Sequence, residues 1–112
     1  MATALVTGAS AGIGSAFCDL LAKQGFDLVL VARDQSRLNA KAETLRAAYA
    51  ISVEVLPADL SKPEQLLVIE NRLGEPDRPI EVLINNAGFG IKDSFLIWKI
   101  NSLMYWLELQ CD

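Results

Sequence analysis

Thr7-Gly8-Ala9-Ser10-Ala11-Gly12-Ile13-Gly14 is the stretch of this chain best suited to holding a ligand. It follows an apolar run, Ala2 to Thr7, and leads into a helical pattern that starts at Ile13. A strand that turns sharply into a helix leaves the first helical N–H groups unpaired. Those donors, with the helix dipole, form a site for a phosphate. Glycine keeps the approach clear. Gly8 allows the tight turn, Gly12 lets a pyrophosphate come close, and Gly14 lets helix and strand pack tightly. Thr7 and Ser10 add hydroxyl donors. A glycine-rich turn that binds nothing is the plain alternative. Other chemistry is thinly supplied. The chain has no histidine, the commonest acid–base group and metal ligand. Cys18 and Cys111 lie far apart, without the spacing of a disulfide framework or a zinc site, and no metal is expected.

The elements needed to position that loop are legible. Ala2 to Thr7 reads as a buried strand. Ile13, Ala16, Phe17, Leu20 and Leu21 recur at helical spacing, and Gly25 stands where that helix would end. Asp27 to Val31 is a second strand, apolar after its first residue, as suits a strand covered on both faces. Asp34 is the predicted N-cap of a second helix striped by Leu38, Ala42, Leu45 and Tyr49, with Arg37, Lys41 and Arg46 off the stripe. Ile51 to Leu56 alternates as a third strand. Ser61-Lys62-Pro63-Glu64 reads as a helix start capped by Ser61, and Leu66, Ile69 and Leu73 stripe the helix that follows. Pro76 and Pro79 mark a turn before a fourth strand, Ile80 to Ile84. Strands alternating with helices imply an α/β fold with a parallel sheet and helices on both faces.

Composition bounds the function. The 112 residues suffice for one small domain; 52% are hydrophobic and 21% charged, as in a globular chain. A net charge of −4 offers no basic surface, so neither nucleic acid nor an anionic membrane is an expected partner. The first residues lack a positive n-region and run directly into a predicted strand, which points to a reducing, cytoplasmic setting.

Thr7-Gly8-x-x-x-Gly12-Ile13-Gly14, with Asn85-Asn86-Ala87-Gly88 after the predicted fourth strand, resembles the short-chain dehydrogenase/reductase family. Asp59-Leu60 stands where that family places an acid after its third strand. The resemblance covers about residues 2 to 93. It implies a Rossmann-like doubly wound parallel sheet with strands one to four in the order 3-2-1-4, three crossover helices, and the C-terminal half of the fold missing. Residues 1–93 would then be an NAD(P)-binding unit and 94–112 an apolar tail. By the same resemblance, Gly8, Ser10, Gly12, Ile13 and Gly14 would line the cofactor pyrophosphate. Asp59 and Leu60 would contact the adenine, with Asp59 accepting from its exocyclic amine, and Asn85, Ala87 and Gly88 would lie along the nicotinamide ribose. Asp59 as a cap or turn acceptor near Ser61, and the asparagines as a structural turn, are the plain alternatives.

The end of the second strand bears on the coenzyme. Enzymes that prefer NAD usually place an acid there for the ribose 2′-hydroxyl. Here Ala32 occupies that place and Arg33 follows. A guanidinium can hold a 2′-phosphate by two parallel hydrogen bonds, which points to NADP. NAD is the alternative if the strand ends later and Asp34 is the ribose acid.

The resemblance implies hydride transfer between nicotinamide and a carbonyl or alcohol. Members of the family use a tyrosine to protonate the oxygen, and a lysine four residues on lowers its pKa. A free tyrosine titrates near about 10 and needs such a cation near neutral pH. Tyr49 is followed at that spacing by Val53 and Tyr105 by Leu109, so no catalytic residue is assigned, and Asn101 falls too early for the family's further asparagine. Cofactor binding without turnover is therefore expected of this chain, with a carbonyl or alcohol substrate only in a full-length relative. A non-catalytic nucleotide-binding or protein-interaction module derived from the same fold is the alternative. The tail, SFLIWKINSLMYWLELQCD from Ser94, is apolar without a clean period. Strand four is expected to be a raw edge. The tail would either fold back over it or drive self-association.

Overall fold

A computed structural model describes residues 2–59, 61–85, 94–99 and 105–110. The elements are β1 (Thr3–Thr7), α1 (Gly12–Lys23), β2 (Asp27–Ala32), α2 (Gln35–Ala48), β3 (Val53–Pro57), α3 (Pro63–Leu73), β4 (Val82–Asn85), β5 (Ser94–Lys99) and β6 (Tyr105–Gln110). They form one sheet in the order β3-β2-β1-β4-β5-β6. The first four strands run parallel, with Leu5 opposite Val29 and Leu83, and Leu30 opposite Val55. This is the expected Rossmann-like α/β arrangement, and β3-β2-β1-β4 is the expected order.

Side chains alternate across a strand, so the two faces of the sheet carry separate cores. Ala4, Val6, Leu28 and Leu30 pack with Cys18 and Ala22 of α1 and with Leu38, Ala42 and Leu45 of α2. Leu5, Val29 and Val31 pack with Ile69 of α3. Helices α1 and α2 therefore cover one face and α3 the other, which explains why β1 and β2 are apolar almost throughout.

Helices α1 and α3 are oriented in part differently from the expected stripes. Phe17 and Leu21 are half-buried, but Leu20 is 51% exposed and Ile13 40%. The buried line of α1 is Gly14, Cys18 and Ala22, four residues apart. Small residues there let the helix approach the sheet closely, and a stripe judged by hydrophobic size overlooks them. The Cys18 thiol is fully buried and pushed up to about 12, chiefly by desolvation, so it is packing rather than a nucleophile. In α2 the stripe is as expected, with Tyr49 half-buried against the same core just past the helix end. In α3, Ile69 and Leu73 turn inward while Leu66 is exposed.

Two further expectations are corrected. Ser61 does not cap α3: the N-cap is Lys62 and no side chain caps the helix. Pro63, the first helical residue, has no N–H to satisfy, and the Ser61 hydroxyl is engaged elsewhere. Strand β4 is not a raw edge either. Residues 94–99 of the presumed tail pair with it antiparallel, Ile84 opposite Ile97, and β6 pairs antiparallel with β5. Unpaired strand groups favour such pairing, and it is the fold-back over β4 expected of the tail as one of its two alternatives. Among the described residues no helix is long and apolar enough to cross a membrane.

Candidate dinucleotide site

The strand order reverses at β1. The chain winds from β1 through β2 to β3 on one side, then crosses to β4 on the other. In open α/β sheets the carboxyl ends of the strands at that reversal form the ligand crevice. Register places the loops there. Thr7 lies opposite Val31, Ala32 opposite Pro57, and Val6 opposite Ile84. Gly8, Arg33, Asp59 and the end of β4 at Asn85 therefore emerge on one side of the sheet. Two backbone bonds tie the loops down: Ala9 N–H donates to the Val31 carbonyl at 3.1 Å, and Ala58 N–H to the Ala32 carbonyl at 2.9 Å.

The glycine loop turns through two left-handed glycines. Gly8 and Gly12 have φ of 65° and 57°, a left-handed conformation that disfavours residues with a Cβ. A Cβ built on Gly12 would meet nothing within 4 Å, so the space in front of it is open to a ligand. Ala11 is the N-cap of α1, extended and without a side-chain cap bond, and no acid stands in the first turn. The N–H groups of the α1 start thus carry the dipole's positive end with no capping side chain or first-turn acid among the described residues to neutralise it. Ser10 is half-buried, Ile13 exposed, Gly14 buried and Thr7 buried.

Arg33 follows directly on β2 and is exposed. Among the described residues no carboxylate lies within ion-pair distance of it. The neighbouring Asp34 is occupied: it caps α2, its Oδ1 accepting from Arg37 N–H at 3.1 Å, and its other oxygen lies 3.6 Å from the Arg37 guanidinium. Asp59 sits on the loop after β3. Its Oδ1 accepts from the Ser61 hydroxyl at 2.6 Å and the Ser61 N–H at 3.0 Å. Those bonds, the hydroxyl's first, hold the carboxyl below the usual carboxylate range, with a smaller contribution from the charge of Arg33. Asp59 N–H donates to the Gln65 side-chain oxygen of α3. Asp59 is therefore a turn acceptor, the plain alternative, and also an ionised acceptor at the crevice. Leu60, Ala87 and Gly88 lie outside the described residues. Gln65 escaped the sequence reading; an amide one turn into a helix carries no signal that it reaches back to the loop.

The sequence profile of short chain dehydrogenases matches residues 2–104. The chain belongs to the short-chain dehydrogenase family. A very-long-chain 3-oxoacyl-CoA reductase of Lodderomyces elongisporus is 41% identical over 85 residues, 76% of this chain and 24% of that protein. Among solved structures, a short-chain dehydrogenase from Sphingobium yanoikuyae in complex with NADPH is similar at 50% identity and a TM-score of 0.75, covering 80% of this chain and 35% of that one. The L-sorbose reductase of Gluconobacter frateurii, complexed with NADPH and L-sorbose, is 33% identical with a TM-score of 0.71, covering 79% and 34%. The chain thus spans about a quarter of the length of that curated relative and about a third of those solved chains. The residues matched by the family profile include the glycine loop and the Arg33 and Asp59 turns.

Proposed function

We propose that this chain is the cofactor-binding part of an NADP-dependent short-chain oxidoreductase. The N–H groups of the loop from Gly8 to Gly14, with the Ser10 hydroxyl, hold the pyrophosphate. Arg33 holds the 2′-phosphate. Asp59 and Leu60 contact the adenine, and Asn85, Ala87 and Gly88 lie along the nicotinamide ribose. When bound, NADP(H) supplies the hydride exchanged with a carbonyl or alcohol. This chain's own residues bind and orient the dinucleotide. Neither tyrosine has a lysine four residues on, so no group here is assigned to move the substrate proton. Turnover belongs to a longer relative, and residues 1–93 act as the binding unit in a cytoplasmic setting.

One observation carries the choice of NADP. Arg33 has no ion-pair partner among the described residues, while Asp34, the competing ribose acid, is taken up by the α2 cap. A guanidinium that faces no carboxylate among the described residues suits a phosphate better than a hydroxyl. The two similar structures named above, both complexes with NADPH, agree with this reading. Titration with NADPH and NADH, followed by nicotinamide fluorescence and melting temperature, tests it. NADPH should bind more tightly, and Arg33→Ala should erase the difference. Absence of binding by a chain shown to be folded would reduce the loop to an inherited turn and favour the non-catalytic interaction module.

A further inference from the structure

Arg33 and Asp59 lie on neighbouring loops of opposite charge. The Ala32–Pro57 register and the bond from Ala58 N–H to the Ala32 carbonyl hold the two loops side by side. Arg33 is near enough to act on the Asp59 charge, yet the two form no ion pair. Asp59 is held instead by its own turn: the Ser61 hydroxyl and N–H both donate to Oδ1, and the Asp59 N–H is fixed by Gln65. Two long-range opposite charges in adjacent exposed loops would otherwise approach one another.

We propose that Ser61 is a specificity-determining positioning residue, whose hydroxyl retains the Asp59 carboxylate in its turn and so leaves the Arg33 guanidinium free for the 2′-phosphate of NADPH. This rests on the NADP reading given above. Ser61 touches neither the phosphate nor the reacting atoms; it acts through Asp59. Without the hydroxyl, Asp59 keeps only the weaker backbone bond and swings toward Arg33. The carboxylate then competes with the phosphate for the same donors. NADH, which has no 2′-phosphate, is indifferent to that competition, and both coenzymes share the adenine. The ratio of their affinities therefore isolates the effect.

The test is the ratio of NADPH to NADH dissociation constants for wild type, Ser61→Ala, Ser61→Thr and the double variant Ser61→Ala/Asp59→Asn, each with its melting temperature. Ser61 is exposed, so the folded state should tolerate all of these. An exposed ion pair that competes for Arg33 should lower the NADPH preference of Ser61→Ala by roughly threefold. Ser61→Thr keeps the hydroxyl and should restore the preference. Asp59→Asn in the Ser61→Ala background removes the competing charge and should restore it too. A merely structural serine would lower both affinities together and leave the ratio unmoved. If wild type prefers NADPH and Ser61→Ala keeps the full preference, the role of Ser61 is refuted and the cofactor reading stands. If folded wild type shows no preference for NADPH, both fall.

Discussion

The two ends of the sheet use their charged residues in opposite ways. At the amino ends of the strands Glu81, Asp27, Glu54, Arg72 and Arg78 are answered within the chain. Glu81 accepts from Thr3 N–H at 2.6 Å and Asp27 from Ser52 N–H at 2.8 Å, so carboxylates extend the ladder where strands begin. Arg72, 5% exposed, donates to Glu54 at 3.1 Å and to the Arg78 carbonyl at 2.6 Å, and Arg78 reaches Glu54 from the other side at 3.0 Å. A cavity of about 360 Å³ lies here, lined in part by Thr3, Asp27, Glu54, Arg72 and Glu81. Its charges serve one another and hold α3 to β3. At the carboxyl ends the pattern reverses. Arg33 stands without a partner among the described residues, the start of α1 is uncapped, and open space faces Gly12. Satisfied charges stabilise a fold, whereas unsatisfied donors grouped at one crevice mark a place for a ligand.

The contrast can be broken most forcefully at the glycine loop. Gly12→Val places a β-branched residue at φ 57° and puts a side chain into the open space. Charge-assisted bonds are worth about 1.5–3 kcal/mol each, so losing one or two should weaken NADPH binding roughly a hundredfold. Titration of a variant confirmed as folded by circular dichroism measures this. Arg72→Ala should do the reverse. It leaves Glu54 short of a buried partner and should cost about 2 kcal/mol in chemical denaturation, while the NADPH to NADH ratio stays unchanged. Arg33→Ala should lower NADPH affinity about tenfold, leave NADH binding alone, and shift stability by no more than about 0.5 kcal/mol. The smallest effect concerns Asp59. Its carboxyl is held below the unfolded value of about 3.9, so its turn bonds stabilise the fold above that pH and are lost as pH falls through the lower, folded value. Melting curves of wild type and Asp59→Asn should therefore differ slightly near pH 7 and converge at acid pH.

What the sequence discloses follows the same division. The glycine loop, the four parallel strands and Arg33 are legible because each depends on local signals: a turn that needs glycine, apolar runs of strand length, and a cation just after a strand. Asp34 as a cap is legible for the same reason. Ser61 misleads, because Ser-x-Pro-Glu has the outline of a capping box; only the turn geometry shows its hydroxyl bound to Asp59. The buried face of α1 is obscured because Gly14, Cys18 and Ala22 are small, and closeness of approach, not hydrophobic bulk, selects the face. Residues 94–99 show no period that foretells strand β5, since their pairing is set by the open side of β4, a tertiary fact. The network of Arg72, Glu54 and Arg78 is likewise invisible in sequence, because its members lie on separate elements.

Backbone amide shifts during NADPH titration of the ¹⁵N-labelled chain test most directly which end of the sheet is the site. Shifts are expected at Gly8 to Gly14, Arg33 and Asp59, with Thr3, Asp27, Ser52 and Glu81 unmoved. Shifts centred on Thr3, Asp27 and Glu81, with the glycine loop silent, would place the ligand in the cavity at the amino ends and contradict that expectation.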